Sequence, residues 1–235
     1  MNRMRKIAGI IGGVGPESTI DYYRSILAVY RERTGDGSAP SLLIDSLNMK
    51  AMVALVSANE LDRVADYLSE EIERLARAGA ACALVAANTP HLVFDELRRR
   101  SPIPLISIVE TTCAAAQALG LKKLGLFGAR FTMQARFYPD VFAREGLAIV
   151  TPTLEEQAYI HDKYMNELVG GVFLDETRER LLEIADRMRE RDQIDGLILG
   201  GTELPLILRD SAGCGIPFLD TTQIHVRALV AWLLN

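Results

Sequence analysis

Residues 197–208 read LILGGTELPLIL. Leu197 to Gly200 are too continuously apolar for a strand with one wet face, so they are expected to form a buried strand of a parallel sheet. Gly201, Thr202 and Glu203 then set a hydroxyl and a carboxylate at the lip of that strand, before a second apolar run begins. In parallel α/β sheets, ligands bind beyond the carboxyl ends of the strands. Residues that follow a buried strand are therefore the first place to look for chemistry.

The same pattern recurs along the chain. Lys6–Ile11, Ser41–Asp45, Ala81–Ala87, Pro104–Ile108, Lys123–Phe127, Leu147–Val150 and Gly196–Leu199 are short apolar runs and are expected strands. Amphipathic helices separate them. Leu61, Val64, Ala65, Leu68, Ile72 and Leu75 share one helical face, Gly79 is placed to stop that helix, and Ser57 to Glu60 read as its capping box. Leu181, Ile184, Ala185 and Met188 repeat the pattern. Alternation of this kind predicts an α/β fold with right-handed crossovers.

A weak internal repeat sharpens the expectation. Lys6–Gly13 and Lys123–Gly128 each join a basic start, an apolar strand and a glycine turn. Downstream, ARAGAACALVAANT (76–89) and ERDQIDGLILGGT (190–202) each carry a charged helix end into a buried strand, with Thr89 and Thr202 in matching places. The expected architecture is two similar three-layer α/β halves, residues 1–112 and 113–212, whose parallel sheets face a central cleft. Residues 213–235 are expected to return to the first half.

Composition narrows the function. The 235 residues are 49% hydrophobic and 24% charged, an ordinary globular balance, and the net charge of −5 leaves no footprint for nucleic acid or an anionic membrane. No apolar run approaches the roughly 20 residues of a membrane span. The basic N-terminus leads into an apolar run that breaks at Gly12-Gly13, so it is expected to be the first strand of a cytoplasmic protein rather than a leader. Cys82, Cys113 and Cys214 are too widely spaced for a disulfide framework or a metal site, and the three histidines are scattered, so no metal is expected. Cys214 is the thiol expected to be exposed.

Four loops lie at expected strand ends: Gly12–Ser18, Ala87–His91, Gly128–Thr132 and Gly201–Glu203. Each precedes a helix, so free backbone N–H groups are expected to hold a carboxylate. GGVGPES lacks the full G-x-G-x-x-G pattern and a following lysine, so Gly13 and Val14 suit a small carboxylate better than a nucleotide. Asn88, Thr89, Thr202 and Glu203 are candidate ligand contacts, with helix capping as the competing role. His91 is a candidate proton-transfer group, with a packed role competing. Lys163, Tyr164 and Glu167 follow the Leu147–Val150 strand; they either reach the cleft or form an exposed polar face. His161 and His225 are expected in helices, at the surface or packed.

These residues resemble the cofactor-independent aspartate/glutamate racemases. The resemblance rests on GIIGGVGPESTIDYYRSI (9–26), ANTPH (87–91), Thr132-Met133 after FGA, YMNELVGG (164–171), GGTELP (200–205) and LDTTQIH (219–225). It implies an isomerase that binds a small amino acid or dicarboxylate between two halves, needs neither pyridoxal phosphate nor metal, and forms a homodimer. It also implies two cysteines facing the α-carbon from opposite sides, immediately before Asn88 and Thr202. Here those positions are Ala87 and Gly201, and Ala129 replaces an expected hydroxyl. A positioned acid or base contributes about 10²–10⁴-fold to a proton transfer. The resemblance therefore implies catalysis by replacement groups, with Glu203, His91 and Thr202 as candidates and Gly13, Val14, Asn88, Thr89, Thr132 and Lys163 completing the contacts. Two alternatives stay open: a degenerate carboxylate-binding protein, or a different reaction (lyase or cis–trans isomerase) on the same scaffold.

Overall fold

The computed structural model describes residues 6–208 and 214–235. In chain order its strands are β1 (Ile7–Gly12), β2 (Ser41–Ser46), β3 (Cys82–Val85), β4 (Leu105–Ile106), β5 (Lys123–Phe127), β6 (Ala148–Val150), β7 (Gly196–Leu199) and β8 (Phe218–Asp220). The helices are α1 (Pro16–Thr34), α2 (Met49–Ser57), α3 (Leu61–Arg77), α4 (Phe94–Arg100), α5 (Ile108–Ala118), α6 (Arg130–Gln134), α7 (Phe137–Arg144), α8 (Leu154–Asn166), α9 (Asp175–Asp192), α10 (Leu204–Leu208) and α11 (Thr221–Leu234). The chain divides into two compact units. One runs to Ile108 and takes in His225–Asn235; the other is Val109–Ile224.

Each unit holds one four-stranded parallel sheet, ordered β2-β1-β3-β4 in the first and β6-β5-β7-β8 in the second. The orders are identical once corresponding strands are matched, which gives the weak sequence repeat a structural counterpart. In the first unit, Ala8, Ile10, Cys82 and Leu84 face one side of the sheet. There they pack with Tyr22 and Ile26 of α1 and with Val226, Leu229 and Val230 of α11. Side chains alternate along a strand, and on the opposite face Leu75 of α3 lies against Gly9. In the second unit, Phe127, Leu197 and Leu199 form a core with Ile160 of α8 and Leu181, Ile184, Ala185 and Met188 of α9. The fully buried central strands explain the continuous apolar runs. The edge strand β2 is half exposed along much of its length, which the apolar run Ser41–Asp45 did not indicate.

Several expectations need correction. Ser57 closes α2 and does not cap α3; Asn59 turns the chain at φ 57° and Glu60 is the N-cap, without a side-chain bond. Gly79 does terminate the α3 segment, at φ 98°. The unit boundary falls at Ile108/Val109, not at 112/113. Residues 214–224 stay with the second unit because Phe218, Leu219 and Asp220 pair with Leu197, Ile198 and Leu199; the return to the first unit begins at His225. The expected 212/213 boundary lies outside the described residues. Among the described residues, no helix is long and apolar enough to cross a membrane.

Leu68 of α3 is fully buried. Leu68→Ala removes apolar contact and leaves a cavity, so the unfolding free energy is expected to fall by about 2–5 kcal/mol, measured by urea denaturation. A loss within error of zero contradicts the placement of α3 on the sheet.

Candidate functional site

In the second unit, Gly200 N–H donates to the Phe127 carbonyl at 2.7 Å, carrying the pairing one residue past β7. The Thr221 hydroxyl donates to the Leu199 carbonyl at 2.7 Å, so the last carbonyl of the strand is satisfied. The chain then enters Gly201, Thr202 and Glu203, all buried, before α10 starts. Thr202 Oγ1 donates to Glu203 Oε2 at 3.0 Å. The Tyr164 hydroxyl, from the last turn of α8, donates to the same carboxylate oxygen. Burial raises the Tyr164 pKa well above its ordinary value, and the adjacent Glu203 carboxylate raises it further. The phenol therefore keeps its proton and acts as a donor.

Gly201 explains how the ring fits. A Cβ at this position would stand 3.0 Å from Tyr164 Cζ and 3.1 Å from its hydroxyl oxygen, and closer still to Cε2. Tyr164 thus fills the volume that any side chain at 201 would enter. Thr132 joins the same rim: a Cβ on Gly200 would lie 3.3 Å from its methyl group, and one on Gly128 would lie 3.0 Å away. Thr132 is 1% exposed, and its hydroxyl makes no hydrogen bond among the described residues. A buried hydroxyl in that condition calls for a water or a ligand.

The rim of the first unit is built differently. The Ser18 hydroxyl donates to the Ala86 carbonyl at 3.3 Å, and Ala87 and Asn88 are buried behind it. Thr89 is half-buried and opens a 3-10 turn, Thr89–Val93; Asn88 does not cap that turn with its side chain. His91 Nε2 accepts the Ile108 N–H at 3.3 Å, and its ring stacks on Phe94 with centroids 4.4 Å apart. His225 Nε2 donates to the Ile106 carbonyl at 2.9 Å, while its Nδ1 accepts from the Tyr22 hydroxyl at 2.9 Å. Two imidazoles thus hold the chain as it leaves β4. Burial pushes the His91 pKa down to about 3 and that of His225 to about 4. Both are neutral near pH 7, and the geometry of His91 is that of a packed residue.

Other sequence candidates fall outside these arrangements. Gly13 N–H donates to Thr19 Oγ1 at 2.8 Å, so it is not the free donor expected of the first loop; at φ 79° this glycine passes close to the backbone of Leu47. Val14 is half-buried beside it. Arg130 N–H donates to His161 Nδ1 at 3.2 Å, so the third loop also spends an N–H internally. Lys163 pairs with Glu167, which also accepts from Thr177 at 2.6 Å. Cys214, expected to be exposed, is 1% exposed and sits in the core beneath α9. Burial pushes the Cys82 thiol up to about 12 and Cys113 to about 11, so neither is a thiolate near neutrality. Counting from Val85 and Leu199, Asn88 rather than Thr89 corresponds to Thr202, and Ala87 corresponds to Gly201. The sequence left Tyr164 between a site role and an exposed face; its burial against Gly201 was hidden because glycine gives no sign of which ring fills its vacant space.

Comparisons with known proteins agree with this architecture. The family model described as Asp/Glu/Hydantoin racemase matches residues 11–229. A crystal structure of an aspartate racemase homologue from Pyrococcus horikoshii superposes with a TM-score of 0.84 at 34% identity, covering 99% of this chain and 100% of that one. The aspartate racemase of Picrophilus torridus shares the fold, with a TM-score of 0.78 at 21% identity over 97% of this chain and 94% of its own. The broad specificity amino-acid racemase RacX of Bacillus subtilis is 21% identical over 231 residues, 96% of this chain and 97% of its own.

The two imidazoles give the first unit a defined acid response. In the unfolded chain a histidine binds its proton near pH 6.5, whereas His91 and His225 stay neutral to about 3 and 4 in the fold. Their contribution is fully present above about pH 6.5 and is lost as pH falls from there toward the folded values, at up to about 1.4 kcal/mol per pH unit for each group. Urea midpoints between pH 7 and 4.5 are expected to fall, and His225→Gln to flatten that slope. An unchanged slope in the variant contradicts the assignment.

Proposed function

The chain belongs to the Asp/Glu/hydantoin racemase family, and from that premise we propose that it binds a small amino acid or dicarboxylate at the carboxyl ends of its sheets and exchanges the proton on the α-carbon. The carrying observation is the buried Thr202–Glu203 hydrogen bond directly beyond β7; Thr132, whose hydroxyl makes no hydrogen bond among the described residues, packs against Gly200 at the end of the same strand. A carboxylate held at a strand end by hydroxyl donors is a proton acceptor with a fixed direction. Thr132 offers a donor for a ligand carboxylate at this strand end.

Within this reading Glu203 is the principal acid/base group and Thr202 orients it. His91 is a weaker candidate, because burial keeps its imidazole from becoming a cation at neutrality and its Nε2 already accepts from the Ile108 N–H. Gly13, Val14 and Lys163 are peripheral: the Gly13 N–H and the Lys163 ammonium are already engaged. By the same family resemblance the reaction needs neither pyridoxal phosphate nor metal, the assembly is a homodimer and the setting is cytoplasmic.

The test is α-deuterium incorporation in D2O, run with each enantiomer of aspartate, glutamate and other small amino acids and followed by mass and chiral analysis. Deuterium incorporation at the α-carbon with no other mass change is expected for at least one substrate, with Glu203→Gln slowing it by about 10²–10⁴-fold. Binding without exchange across the panel would identify a carboxylate-binding protein instead, and loss of carbon dioxide would identify a lyase.

A further inference from the structure

Resting on that proposed reaction, we infer that Tyr164 is a catalytic proton relay of the second unit, its phenol standing in the place of a side chain at 201 and passing protons to and from Glu203. Three observations converge. The ring occupies the space into which residue 201 would project, with its hydroxyl oxygen 3.1 Å from where the Cβ would be. The hydroxyl donates to Glu203 Oε2, the oxygen that also accepts from Thr202 at 3.0 Å. At the same rim, the Thr132 hydroxyl is buried and makes no hydrogen bond among the described residues, so it is open to a water or a polar ligand.

The step balances without an ionised phenol. As the phenol oxygen takes the proton from the substrate α-carbon, its own proton moves to Glu203 Oε2. The C–H and phenolic O–H bonds break, a new phenolic O–H and a carboxylic O–H form, and the electron pair stays on the α-carbon, delocalised into the substrate carboxylate. Glu203 ends neutral and the substrate carries the charge. The reverse sequence delivers a proton to the same face. A phenol held protonated by burial is suited to this role, because it is never required to exist as a phenolate. The ring also accounts for the glycine: a larger residue at 201 and Tyr164 compete for one volume.

Two measurements test the inference. Tyr164→Phe keeps the ring and removes the hydroxyl. With the aspartate and glutamate enantiomers as probes, α-deuterium exchange is expected to fall by about 10²–10⁴-fold, while the thermal shift those acids produce is retained. Exchange at the wild-type rate overturns the relay and leaves the proposed reaction standing; a wild-type chain inert toward every probe overturns both. Separately, Gly201→Ala is expected to lower the melting temperature by several degrees in the wild-type chain and by little in a Tyr164→Ala background, where the volume is vacant. Equal losses in the two backgrounds overturn the placement of the ring, whatever the substrate.

Discussion

A side chain cannot stand at position 201 while the ring of Tyr164 lies against that stretch of backbone. With the ring in that place, the phenol stands beside Glu203, whose Oε2 accepts from Tyr164 and from Thr202, and all three side chains are buried. Without the ring, Glu203 would be an ionisable group 1% exposed with one hydroxyl donor fewer, an arrangement that burial makes costly. The glycine at 201 is thus the complement of an aromatic residue brought in by α8, far away in sequence.

The two units show how one topology supports unlike rims. Their sheets have the same strand order and the same parallel sense. Beyond β7 the chain gathers hydroxyls and a carboxylate; beyond β3 it gathers an amide, a hydroxyl and a packed imidazole. The strand-end carbonyls of both are satisfied from within, by Thr221 and Ser18 respectively. The side chains at these rims, rather than the sheets beneath them, are where the units differ chemically.

Much of the fold was legible because buried parallel strands write themselves as continuous apolar runs, as in Lys123–Phe127 and Gly196–Leu199. The face of α3 was equally plain from its spacing. What escaped was short or ambiguous. The strand Phe218–Asp220 has three residues and ends on a charge, so only its pairing with β7 declares it. Ser57 and Glu60 have the right types for a capping box, but α2 extends through Ser57 and consumes it. At the site, Thr202 and Glu203 were visible as polar residues at a strand lip. The packed role of His91 was among the readings its sequence position allowed, and its burial selects that one; the placement of Tyr164 was not legible, since it depends on a contact 37 residues away in sequence, between positions 164 and 201.

The account stands or falls on whether a small acid binds beside Tyr164. A crystal structure with aspartate or glutamate bound measures this directly. The account predicts the ligand α-carbon about 3–3.5 Å from the Tyr164 hydroxyl oxygen, the separation of a near-attack geometry, with the Thr132 hydroxyl bonded to the ligand. An acid bound elsewhere, with the Tyr164 and Thr132 hydroxyls untouched, would contradict it.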